Sequence, residues 1–165
     1  MFKSLFPAQL NNDYRGSKVA IWILIPLVLS KMFMGFNCAG FNPWISNRWV
    51  LERADSIPVG SMDPAAAGTL VFQFAAWGLA LLILSSLGLL ALIRYRAMIP
   101  LMYLALGIEQ IGRKALSFAF PVHRELATAG FSTGSAINWL FSGLLLIGFI
   151  LSLWKTRPGK PEGSR

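Results

Sequence analysis

Apolar residues gather into four long blocks, 19–37, 64–93, 97–120 and 136–154. Each is close to or above the ~20 residues an α-helix needs to cross a hydrocarbon core about 30 Å thick. The first, VAIWILIPLVLSKMFMGFN, contains one charge, Lys31, and one helix breaker, Pro26. Proline is tolerated in a membrane helix when neighbours re-satisfy the freed carbonyl, here that of Trp22, so a kink between Trp22 and Pro26 is expected. The second block starts on a clear signal: Asp63 can cap the helix and Pro64 suits its first position. Gly68, Gly78, Ser85, Ser86 and Gly88 then supply small residues that allow close helix approach in lipid. Arg94, Tyr95 and Arg96 leave only a tight turn before the third block, which has Pro100 in its first turn, where the missing N–H costs little. Thr133 or Ser135 can cap the fourth.

The polar stretches predict less regular structure. Residues 1–18 mix Phe and Leu with Lys3, Arg15 and Lys18, and Pro7 with Asn11-Asn12-Asp13 argues against one continuous helix. This segment reads as headgroup-level chain or as a flexible tail. In the connection 38–62, apolar residues at 44, 45, 49, 50 and 51 fall near helical spacing, and two of them are tryptophans. A short interfacial helix is expected over 44–54, or else a lid over the mouth of the helices. Residues 127–135 form a small-residue loop, and 155–165 a basic, disordered tail. The fold class is therefore all-α: an integral membrane four-helix bundle at 19–154, with an N-terminal segment at 1–18 and a tail at 155–165.

Composition agrees with this reading. Hydrophobic residues are 55% of the chain and charged residues 13%, half the charge of a soluble domain, with mean hydropathy +0.58. The formal charge of +8 would suit a nucleic-acid binder, but the basic residues flank apolar runs. That placement points to membrane topology and anionic headgroups, with no nucleic-acid partner. Nine of them (3, 15, 18, 94, 96, 155, 157, 160 and 165) fall on one side of the expected spans, and three (48, 53 and 124) on the other. The bias places both termini in the cytoplasm. A single cysteine, Cys38, rules out an internal disulfide. The first block lacks an Ala-x-Ala-like cleavage site, so it is expected to be a retained span.

Against this apolar background a few polar residues stand out. Lys31 lies 12 residues beyond Val19, and Glu109 lies 12 beyond Ala97, so both fall ~18 Å into their helices. Equal depth on different helices is what a buried ion pair requires. Arg113 follows Glu109 by one turn and can share its carboxylate. Gln110, Asn138 on the fourth block and Gln73 on the second complete a candidate ligand-binding set of Lys31, Gln73, Glu109, Gln110, Arg113 and Asn138. An ionisable group at such depth marks either a function or an internal pairing. The structural alternative is a clasp that holds the helices in register while Arg113 and Lys114 snorkel to lipid phosphates. Cations beside a carboxylate favour its ionised form, which disfavours a proton-carrying Glu109 unless they move away.

Other chemistries have little support. His123 is the single histidine, too few for a histidine-ligated zinc or haem site. Glu52, Asp55 and Asp63 share a connection, but Asp63 has its capping role, so neither metal nor cofactor is assigned. There is no phosphate-binding glycine loop, and Ser85-Ser86 and Ser132-Thr133 have no evident histidine partner for a nucleophilic role.

The segment 88–114, through Arg94-Tyr95-Arg96, Pro100 to Tyr103, Glu109-Gln110 and Arg113-Lys114, resembles the central hairpin of small four-helix bacterial inner-membrane proteins of DoxX-like type. The resemblance implies a bacterial cytoplasmic membrane. Three functions remain open. The leading one is a non-enzymatic accessory or binding protein with an outward polar pocket for a lipid or amphipathic molecule. The others are a small transporter acting as a homo-oligomer, and a membrane-embedded enzyme using Glu109 as general acid/base. Membrane lipids are the expected partners in each, beside a second copy or another membrane protein.

Overall fold

The computed structural model describes residues 5–7, 9–54, 57–120 and 133–154, and all regular structure among them is helical. Three helices are long and apolar enough to cross a membrane: those at Lys18–Cys38, Pro64–Ile93 and Ala136–Leu153. Among the described residues the protein is thus all-helical, with three helices that could span a membrane.

Helix α1 spans Lys18–Cys38, runs unbroken through Pro26, and starts at Ser17, whose side chain accepts from the Val19 amide. It stops at Gly40, which takes a positive φ of 79°. With glycine there, the Gly40 amide reaches the Asn37 carbonyl and the Phe41 amide reaches that of Phe36. This Schellman closure includes its usual apolar contact, between the Phe36 and Phe41 rings.

Helix α2 spans Asn47–Ala54, with Ser46 Oγ accepting from the Trp49 amide in its first turn. Leu51 faces inward and, with Ile57, Val59 and Ala67, forms a small apolar cluster on Leu70, Val71 and Phe74 of the next helix. Trp44 and Trp49 remain exposed.

Helix α3 spans Pro64–Ile93. Asp63 caps it as expected, accepting from the amides of Ala65 and Ala66. Several of its buried small residues face α1 at a close backbone approach. A Cβ on Gly35 would sit 2.7 Å from the Leu82 nitrogen, and one on Gly78 would run into Cys38 and Ala39. Glycine permits this backbone contact. At the far end Arg96 turns back and donates from Nε to the Leu92 carbonyl at 3.2 Å, covering an acceptor the helix leaves open.

Helix α4 spans Ile99–Ala119 with Pro100 in its first turn, and α5 spans Thr133–Leu153. Both lie within a few residues of the expected blocks. The cap expected from Thr133 or Ser135 and the loop before it fall outside the described side chains.

The four long helices meet in a closed circuit: α1 packs on α3 and α5, and α4 packs on the same two. Large side chains fill the space between α1 and α4. Tyr103 of α4, buried, donates its hydroxyl to the Ala20 carbonyl at 2.6 Å and lies against Gly148 of α5. Leu24, Leu27, Val28, Ile99, Met102 and Leu106 surround it.

The residues ahead of α1 add a feature that the sequence left open between headgroup-level chain and tail. The Ser17 amide bonds to the Leu151 carbonyl of α5, and the Asn11 carbonyl accepts from Ala97 at the α3–α4 turn. Tyr14 packs on the core and donates to the Ser17 carbonyl at 3.2 Å. Residues 11–17 thereby strap one end of the helices.

Candidate functional site

Toward the α2 end, polar side chains from all four long helices come together. Lys31 has no exposed surface. Its ammonium donates to Glu109 Oε2 at 2.6 Å and to Gln110 Oε1 at 2.9 Å. Adjacent positions on α4 point about 100° apart, so Glu109 and Gln110 straddle the ammonium that reaches between them. Arg113 is i+4 from the first and i+3 from the second, and touches both. Its Nε lies 3.4 Å from Glu109 Oε1, and its Nη2 donates to Gln110 Oε1 at 3.1 Å.

Asn138 of α5 closes the network. Its Oδ1 accepts from Gln110 Nε2 at 3.1 Å and from Arg113 Nη2 at 3.2 Å. The Gln110 amide also reaches the Asn138 carbonyl at 3.3 Å. Five of the six residues singled out from sequence therefore share one network.

Gln73 does not join it. The sequence placed it by depth alone, but α3 overshoots α1: Gly78 already lies against Cys38 and Ala39 at the end of that helix. Gln73 stands more than one turn beyond, exposed, and bonds to none of the described residues. The contribution of α3 is Trp77, one turn further along, whose indole N–H points at Glu109 Oε1 at 3.4 Å. A tryptophan in an apolar helix needs a partner for that N–H, and this is the signal that could have identified it.

Trp77 also carries the guanidinium of Arg113, 4.9 Å above its ring, and Lys114 sits 3.7 Å from the ring of Trp139. Each contact is a cation–π pairing. Charge is uneven here. Lys31 and Arg113 both approach one carboxylate, Glu109, and Lys114 follows at the next position on α4. Lys31 already holds that carboxylate in its closest contact. Arg113 keeps 34% of its side-chain surface exposed, and its buried Nε has no hydrogen-bond partner among the described residues.

The side chains of the network are an ammonium, a carboxylate, a guanidinium, two amides and an indole. A separate open recess of about 690 Å³ lies by α2, lined by Asn42, Trp44, Ser46 and Trp49 among others, and does not include the cluster. Compared with known family models, curated proteins and solved structures, the chain matches none.

Proposed function

We propose that the chain is a multi-pass four-helix membrane bundle that binds a lipid or amphipathic ligand at the Lys31–Asn138 cluster, acting as an accessory or binding protein and not as an enzyme. In this reading the strapped end, with Arg94 and Arg96, faces the cytoplasm. Helix α2 rests in the opposite interface with its exposed tryptophans at headgroup level. The bacterial inner membrane expected from the 88–114 hairpin belongs to the same proposal.

One observation carries the reading. Four helices bring polar groups to one level, where a fully buried Lys31 forms the floor and a one-third exposed Arg113 the rim. Polar groups inside a span are costly, and an anchoring site for a headgroup gives them a use beyond mutual pairing.

Native mass spectrometry of the gently solubilised protein, wild type beside Glu109→Gln, tests it. A defined adduct on the wild type that the variant loses is expected. Bare protein in both, with the variant less heat-stable, would reduce the cluster to a clasp between helices.

A further inference from the structure

We infer that the headgroup bound at this site is an anion, a phosphate or carboxylate, and that Arg113 is the residue that receives it. The inference rests on the ligand-binding reading above and names the chemistry of the ligand.

The argument begins from the charge count. Glu109 is one carboxylate, and Lys31 engages it at 2.6 Å from a position with no exposed surface. Arg113 approaches the same carboxylate only at 3.4 Å and through an Nε that lacks hydrogen-bond geometry. Its charge is therefore the one the pair leaves over. In a low-dielectric setting a surplus cation favours the arrival of an anion far more than it would in water.

The side chain is held ready for that role. Nη2 is fixed by the two acceptors Gln110 Oε1 and Asn138 Oδ1, and the guanidinium plane rests on Trp77. Nη1 donates to none of the described residues. With Nη2 committed and Nε buried, the guanidinium is held in place with Nη1 left to donate to a phosphate or carboxylate oxygen in a charge-assisted hydrogen bond. Lys114, held on Trp139, adds a second cation from the next position on α4.

What lies above Arg113 suits the rest of an amphiphile. Residues 115–120 of α4 and its cap are exposed at every position, with Leu116 at 60%, Phe118 at 78% and Phe120 at 72%. The last turns of α4 thus stand clear of α3 and α5, which leaves an apolar flank directly beyond the cation. A headgroup on Arg113 would leave its chains along that flank.

The experiment adds phosphatidylglycerol or phosphatidylcholine of matched chains to delipidated protein in uncharged detergent, and reads retained lipid by native mass spectrometry. Wild type should retain phosphatidylglycerol in preference. Arg113→Gln should lower that preference about tenfold or more, the scale of losing hydrogen bonds to a charged group. Arg113→Lys should keep part of it, and Arg94→Gln, at the opposite end, all of it. Thermal melting of each variant shows whether the fold is intact.

Direct binding of inorganic phosphate, lost in Arg113→Gln, without lipid preference would keep the anion site and identify a free anion as its occupant. Equal retention of both lipids by wild type and Arg113→Gln would overturn the anion assignment and leave amphiphile binding standing. Retention of neither lipid nor phosphate would overturn both.

Discussion

The ammonium of Lys31 and the carboxylate of Glu109 meet at 2.6 Å although α1 and α4 are not neighbours in the circuit of helices. The pair is a strut across the middle, and its two ends are unequal. Lys31 has no exposed surface and no other carboxylate, whereas Glu109 is 18% exposed and retains Arg113. Glu109→Gln should therefore destabilise more, by about 3–5 kcal/mol, the scale of stranding a buried charge. Lys31→Met should cost less. The double variant Lys31→Met, Glu109→Leu should recover most of the loss. Unfolding in detergent measures all three, and equal losses in the two single variants would contradict the asymmetry.

The glycines divide into those that are packed against and those that are not. Gly78 lies against the backbone of α1, and its replacement by alanine should force the helices apart at about 1–3 kcal/mol. A Cβ on Gly143 would meet nothing within 4 Å, so Gly143→Ala should be neutral or gain up to about 1 kcal/mol from helix propensity. Melting temperatures that move in the same direction would show that the α1–α3 seam is looser than described.

Tyr103 combines a hydrogen bond with a packing role. Tyr103→Phe removes only the hydroxyl on the Ala20 carbonyl and should cost about 1 kcal/mol. Gly148→Ala sets a methyl group against the ring and should cost more. Because the two residues touch, Tyr103→Leu combined with Gly148→Ala should be less damaging than the sum of the single losses. Additive losses would indicate that the ring does not rest on Gly148.

Burial pushes the Tyr14 phenol up to about 12 from its ordinary 10.0. A raised value means that docking favours the protonated phenol. The contribution to stability is then fully present below pH 10.0 and is lost as the pH rises toward about 12. Tyrosinate absorbance, taken as wild type minus Tyr14→Phe, should show the upper midpoint. A midpoint at 10.0 would place the phenol in water.

Helix positions and the Lys31–Glu109 meeting were legible because both follow from spacing alone. Long apolar blocks fix the helices, and equal depth fixes the pair. Arg113 and Asn138 were legible for the same reason. Gln73 stands apart because it lies higher on its helix than the other polar residues, and α3 extends past the end of α1. Trp77 passed unnoticed because an indole in an apolar run resembles packing until its N–H needs an acceptor. The docking of residues 11–17 left little pattern: apart from Tyr14, its anchors are backbone hydrogen bonds, whose donors and acceptors nearly every residue carries.

That strap has a consequence for biogenesis. One of its anchors joins residues far apart in sequence, Ser17 being bonded to Leu151. The Ser17 amide must therefore wait for α5 to be made before it finds its partner. That anchor can close only after α5 is in place, so a chain that stalls before α5 leaves the strap held at Ala97 alone.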